Sequence, residues 1–210
     1  GLMTKIEGDQ LVITHVWDPG KRFAPGMQLA LCNSYCGTTL KESGPMAIDH
    51  AGNSEWRTHP GYQTLGLESY LGTKLVGEQT IFGTVCFLDT APRPTVFTTA
   101  EKDFLLLLAR WVSTELDRAR SEQALRLSEE RFAIAFRSSP HPVVITELAT
   151  GRCIEVNDTA LQLFGFQRED VIGHTTLAIH LWPTTEDRAR FVGQLLQNGT
   201  LRGVEFSFHT

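Results

Sequence analysis

Several features are scarce or missing in this 210-residue sequence, and each absence excludes a class. No apolar run approaches the roughly 20 residues that a bilayer-crossing helix needs. The opening Gly1-Leu2-Met3 lacks the basic and apolar regions of a signal peptide. The segment is therefore expected to be cytoplasmic, without membrane contact. No cluster of Lys or Arg stands out and the net charge is −5, which argues against nucleic acid or an anionic lipid surface as partner. Only four cysteines occur, Cys32, Cys36, Cys86 and Cys153, with no framework spacing; reduced thiols are expected. Cys32 and Cys36, one turn apart in a helix expected over 27–41, offer two soft ligands with only His50 close by in sequence. That falls short of the four a structural zinc requires, so no metal site is expected. Nor is there a catalytic constellation: no Cys–His pair with an orienting acid, no phosphate-cradling Gly loop, no metalloprotease helix.

What is present is dominated by one stretch. Thr98 and Glu101 have capping-box spacing, and from there to Pro140 neither Gly nor Pro interrupts a run rich in Ala, Leu, Glu and Arg. The spacing predicts a helix over 98–138. At 100° per residue, Phe104, Leu107, Leu108 and Trp111 form one stripe, and Leu105, Ala109, Val112, Leu116 and Ala119 form another. Together they cover roughly 200°, about twice one ordinary buried face. The second stripe keeps the 4-3-4-3 spacing of a coiled-coil seam until the polar Gln123 and Arg126. It is therefore predicted to meet the same helix of a second subunit, while the first seals its own domain. Leu106 falls on the polar side.

Around this helix the pattern alternates in period two. Strands are expected at Leu2–Glu7 and 10–17 about Gly8-Asp9, at 46–50, and at Ser69–Val76 and 80–89 about Gly77-Glu78. The last of these is almost wholly apolar, as a central strand covered on both faces would be. A polar loop separates 51 from 61. After the helix come strands at 143–147 and Cys153–Val156 about Thr150-Gly151. Asn157 caps a helix Asp158–Phe164 that Gly165 closes. One helical turn follows over 167–171, then an amphipathic helix opening at Pro183, with Phe191, Leu195, Ala189 and Val192 inward. A strand is expected over 203–210. A strand that runs to either end without lead-in leaves unpaired edge groups, so the sequence is expected to be a piece of a longer protein.

Ser34-Tyr35-Cys36-Gly37-Thr38, Pro45-Met46-Ala47-Ile48-Asp49, Tyr70-Leu71-Gly72-Thr73-Lys74-Leu75, Phe82-Gly83-Thr84-Val85-Cys86-Phe87-Leu88-Asp89 and Phe97-Thr98-Thr99-Ala100-Glu101 together resemble, in order and spacing, a GAF domain of the bacterial sensor type. Such domains can hold small molecules between sheet and loops, and Cys36, His50 and Tyr70 are the pocket candidates. Bilin-carrying members attach the pigment through a Cys shortly before the segment resembling 62–71. Here that neighbourhood reads Thr58-His59-Pro60-Gly61-Tyr62, and without a thiolate no thioether forms. The signature of cyclic-nucleotide-binding members is missing too.

Ser128-Glu129-Glu130-Arg131-Phe132, Ile154-Glu155-Val156-Asn157-Asp158, Phe164-Gly165-Phe166, Arg168-Glu169-Asp170-Val171-Ile172-Gly173 and Leu181-Trp182-Pro183 resemble a PAS domain, in which two more strands follow the strand at 203–210. The flavin-photosensor motif has no counterpart, and the helix that carries an axial His in haem-binding members has none here. No bound cofactor is expected.

The resemblance implies an α+β chain of two antiparallel-sheet sensor domains: a GAF-like domain over 1–118, a helical linker over 119–131 and a PAS-like domain over 132–210. It implies the sensory region of a bacterial signal-transduction protein, most often a histidine kinase. The implied partners are a second copy through the 98–138 helix, an output domain beyond Thr210 and a small-molecule ligand of unspecified kind. Two rivals remain open: a GAF-scaffold thiol enzyme, such as a methionine-sulfoxide reductase using Cys36 or Cys86, and a ligand-free dimerisation spacer.

Overall fold

The computed structural model describes residues 1–78 and 80–208. It divides into two compact units, residues 1–123 and 124–210.

In the first unit, β1 (Leu2–Glu7) and β2 (Gln10–Val16) form the expected hairpin, and β3 (Gln28–Ala30) pairs beside β2. With β4 (Met46–Ile48), β5 (Ser69–Val76) and β6 (Ile81–Asp89) they make a six-stranded antiparallel sheet, ordered β3-β2-β1-β6-β5-β4. The apolar β6 lies in the middle, between β1 and β5. Successive side chains leave opposite faces of a strand, so the sheet feeds two cores. Leu2, Tyr70 and Cys86 join a core with Tyr35, Cys36, Met46 and Leu67. Leu71, Leu75 and Val85 join another, with Leu105 and Ala109.

Two local expectations change. The helix expected over 27–41 is instead β3, a single turn at Leu31–Asn33 and a short α1 (Tyr35–Thr39). Ser34 causes the break: its backbone is extended and its Oγ accepts from the Gly37 N–H, starting a new helix there. Cys32 is therefore exposed and Cys36 buried, not paired on one helical face. Within the loop expected over 51–61 a helix begins, α2 (Pro60–Leu65), with Pro in its first turn and His59 as cap, the Nδ1 accepting from Gly61 N–H at 3.0 Å. Imidazole is an uncommon cap, and the Pro60-Gly61 pair reads as a turn.

The long helix α3 runs unbroken over Thr99–Arg137. Thr98 N–H donates to the Glu101 carboxylate at 2.8 Å, and Glu101 N–H donates back to Thr98 Oγ1 at 3.3 Å. The bond from Thr98 N–H first, then those that the Thr98 hydroxyl and Arg93 each donate to the carboxylate at 2.9 Å, hold the Glu101 carboxyl below its ordinary 4.5. Because the folded value is depressed, this contribution is complete above pH 4.5 and fades as pH falls through the lower folded value. A Glu101→Gln variant is expected to lose less melting temperature than the parent between pH 6 and pH 3, measured by circular dichroism. Parallel curves would refute the capping role.

One prediction about α3 is overturned. Leu105 and Ala109 are buried against the unit's own sheet, with Leu108, Val112 and Leu116 partly buried beside them. Four of the five residues expected at the subunit seam (Leu105, Ala109, Val112 and Leu116) thus face inward, and the fifth, Ala119, is exposed without joining them. Both stripes satisfy the helical period, and shape decides between them. The inward stripe includes the small Ala109 and Ser113, which let the helix approach the sheet; the large rings of Phe104 and Trp111 stay out, and Leu107 lies on their side.

In the second unit, β7 (Val144–Thr146) and β8 (Cys153–Val156) pair antiparallel. Asn157 caps α4 (Asp158–Phe164) as expected: its Oδ1 accepts from Ala160 N–H and Val143 N–H, both at 2.9 Å, and its Nδ2 donates to His141 O at 2.8 Å. Next come α5 (Arg168–Val171) and α6 (Thr185–Asn198), whose cap Thr184 accepts from Asp187 N–H. Phe191, Val192 and Leu195 are partly buried on α6, whereas Ala189 is exposed. The strand expected over 203–210 does not form among the described residues; its last two positions lie outside them. A strand needs a paired neighbour. Phe206 and Phe208 pack instead on the Trp182 ring, at centroid distances of 5.7 and 4.9 Å. Among the described residues no helix is long and apolar enough to cross a membrane.

Candidate functional site

The three pocket candidates separate. Cys36 and Tyr70 come together in the first core, at 4% and 1% exposure. His50 lies on the surface, its Nε2 3.7 Å from the Glu68 carboxylate. Position explains the split: Cys36 is on the inner side of α1 and Tyr70 on β5 opposite, while His50 stands just past the end of β4.

The buried group is compact. Tyr70 Oη donates to Cys36 Sγ at 3.5 Å and lies 2.7 Å from Thr39 Oγ1, which itself donates to Tyr35 O at 3.0 Å. Cys86 Sγ, from the middle of β6, is 3.7 Å from Cys36 Sγ. The contact joins residues 50 positions apart, and no local sequence signal announces it. Tyr35 Oη donates to Leu67 O, and its ring stacks on His59 and meets Trp56 and Tyr70. Burial pushes the Tyr35 hydroxyl up to about 12 and Tyr70 well above its ordinary value, so both remain neutral donors. Burial also lowers His59, which remains an uncharged acceptor for Gly61. No carboxylate enters this group, and among the described residues no three His, Cys, Asp or Glu side chains gather to hold a metal ion.

The second unit carries a groove of about 660 Å³ lined by Val144, Leu148, Trp182, Arg188, Phe191 and Leu195, among others. Among its described lining residues there is no His, Cys or Met that could ligate a haem iron. Arg188 is its cation, donating at 3.4 Å to the Leu148 carbonyl.

The remaining feature is the outer side of α3. Phe104, Leu107 and Trp111 are 63%, 67% and 64% exposed. Farther along, Leu125 and Phe132 are also exposed. Phe104, Trp111, Leu125 and Phe132 stand at multiples of seven residues, the recurrence of one coiled-coil position, and the intermediate positions are Leu107, Thr114, Ser121, Ser128 and Ala135, apolar only at the two ends. Arg118 interrupts the series. In the sequence the more closely spaced aliphatic stripe obscures Leu125 and Phe132 as members of a seam. Their sevenfold interval from Trp111 was the signal that could have found them.

Comparison with known proteins gives two family matches: a GAF domain over residues 3–116 and a PAS domain over residues 130–196. No curated protein matches. Similar solved structures include the GAF domain from an Acinetobacter phosphoenolpyruvate-protein phosphotransferase, at 14% identity over 58% of this chain and 72% of that one, with TM-score 0.44. The GAF domain of a two-component sensor histidine kinase from Bacillus halodurans is 12% identical over 57% of this chain and 82% of that one, with TM-score 0.46. The reduced form of fRMsr of Staphylococcus aureus is 16% identical over 54% and 68%, with TM-score 0.40.

Proposed function

Because the chain belongs to the GAF domain family over residues 3–116, with a PAS domain following at 130–196, we propose that it is the cytoplasmic sensory region of a bacterial signalling protein of the histidine-kinase kind. In this reading the GAF part occupies 1–118 and the PAS part 132–210, with 119–131 as the helical linker. The region carries no catalysis of its own and relays ligand or partner state through a paired α3 to an output domain. The relay operates only through a difference in ligand affinity between two arrangements of the paired helices.

The observation that carries the proposal is the two-sidedness of α3. One side is sealed by the GAF sheet, through Leu105 and Ala109, so a change in the sheet acts on the helix. The other presents Phe104, Leu107 and Trp111 bare, at the spacing of a helix pair, and the same spacing resumes at Leu125 and Phe132. A second copy of the chain fits this stripe, because a parallel helix pair brings each seam position against its own equivalent. The thiol-enzyme reading has less support. Cys36 and Cys86 are 4% and 0% exposed, closed to a substrate the size of methionine sulfoxide.

The test is phase. In a chimera that joins this region to a histidine-kinase catalytic part, inserting one residue between Arg118 and Ala119 turns the seam by about 100°. It is expected to alter autophosphorylation several-fold, whereas a seven-residue insertion, a whole repeat, is expected to restore it. Kinase output indifferent to both insertions would overturn the relay.

A further inference from the structure

The buried dithiol of the first core has no part in the relay as described. Cys36 sits on α1 and Cys86 on the central strand β6, with their sulfurs 3.7 Å apart. A disulfide requires about 2.0 Å, so closing the pair takes a displacement of about 1.7 Å between one short helix and one strand. We propose that Cys36 and Cys86 form a redox pair that a peroxide closes into an intrachain disulfide.

The surroundings assign the two roles. Hydrogen bonds from Cys86 first, then Thr84 and Tyr70, hold the Cys36 thiol down at about 7 against the opposing effect of burial. Cys86 is pushed well above its ordinary value, first by that same shared hydrogen bond and then by burial. The geometry makes the assignment: Tyr70 Oη donates to Cys36 Sγ at 3.5 Å, a bond that favours its thiolate, so Cys36 is the nucleophile and Cys86 the resolving thiol. In the first step Cys36 sulfur attacks one peroxide oxygen and the O–O bond breaks. The departing hydroxide takes the Cys36 proton as water, leaving a sulfenic acid. In the second, Cys86 sulfur attacks Cys36 sulfur, the S–S bond forms and the S–O bond breaks. The hydroxide leaves with the Cys86 proton as a second water. Two thiols lose two electrons and one hydrogen peroxide becomes two waters. Hydrogen peroxide is close to water in size and reaches a closed core through local opening; a bulky sulfoxide does not.

The consequence reaches the helix. Closure draws α1 toward β6, beside the Tyr70 hydroxyl that donates to Cys36. Val85, next to Cys86 on β6, leaves the opposite face of the sheet and packs in the core that holds Leu105 and Ala109 of α3. The chemistry of the pair stands whether or not α3 relays a signal.

The experiment treats the whole chain with hydrogen peroxide, quenches it, alkylates it in denaturant and maps the peptides by mass spectrometry. Two of the four thiols are expected to disappear, in a peptide linking Cys36 to Cys86 that is lighter by two hydrogens and is released by dithiothreitol. The Cys36→Ser and Cys86→Ser variants are each expected to form no intrachain link. Because the decisive peptide comes from the unaltered chain, a variant that fails to fold leaves the test intact. Retention of all four thiols, a link through Cys32 instead, or sulfinic acid at Cys36 beside a free Cys86 would each overturn the proposal.

Discussion

Trp111→Glu is expected to convert a dimer into monomers while leaving the first unit folded, and Leu105→Glu is expected to unfold that unit. The two positions are less than two turns apart on α3, yet Trp111 is 64% exposed and Leu105 is 0% exposed. Trp and other aromatic anchors at an interface each contribute about 2 kcal/mol or more. A symmetric helix pair counts the substitution twice, so the loss is about 4 kcal/mol, roughly a thousandfold in dissociation constant. The new carboxylates also face each other across the seam. Sedimentation velocity at micromolar concentration reads the outcome, with circular dichroism as the check on folding. At Leu105, which is 0% exposed, the carboxylate enters a core formed with Leu71, Leu75, Phe82 and Val85, and the penalty is several kcal/mol. If Trp111→Glu unfolds the chain, or the unaltered chain sediments as a monomer, the assignment of sides to α3 is wrong. Val112→Glu, which the sequence reading placed at the subunit contact, is expected to behave as a destabilised fold instead, because Val112 packs beside Ala109.

That contrast locates the boundary of what the sequence could tell. Periodicity announced both stripes of α3, and the Thr98–Glu101 pair announced its start; these are local properties of a helix and need no partner to be read. Which stripe meets the sheet depends on its fit against residues such as Leu71 and Val85, which are distant in sequence. The hairpins, the central place of β6 and the Asn157 cap were legible for the same local reason: each rests on neighbouring residues with a fixed pattern. The break at Ser34 was obscured because Met27 to Lys41 supports a helix on average, and one side-chain cap redirects it. The cap of α2 was missed because it uses the His59 ring. At the candidate site, Cys36 and Tyr70 were singled out separately from their family segments. Their meeting with Cys86 comes from the pairing of β5 with β6 and the docking of α1, which no window of sequence contains. His50 was grouped with them by proximity in sequence, and the end of β4 carries it outward instead.

The other large effect is expected at Gly83, where a single methyl group should cost about 3–5 kcal/mol, a large share of the 5–15 kcal/mol by which a domain of this kind is stable. Gly83 lies opposite Lys5 in the β1–β6 pairing. A Cβ at this position would stand 1.9 Å from the Thr4 carbonyl oxygen, 2.6 Å from its carbon and 2.9 Å from Lys5 Cα. All three are backbone atoms, so no flexible side chain can swing away. β1 would have to leave β6, and with it would go the buried contact of Thr4 Oγ1 with Thr84 Oγ1 at 2.8 Å and the bond from Thr84 N–H to Thr4 Oγ1 at 3.2 Å. Those losses add desolvated polar groups to the steric cost. Gly8 supplies the internal comparison. It has a φ of +59° in the β1–β2 turn but open space around its missing Cβ, so Gly8→Ala carries only the left-handed backbone penalty of about 1–2 kcal/mol. Urea denaturation of the two variants side by side is therefore expected to rank Gly83→Ala well below Gly8→Ala. Equal midpoints would mean that β1 and β6 do not approach so closely, and the sheet that presents Cys86 to one core and Val85 to the other would lose its central pairing.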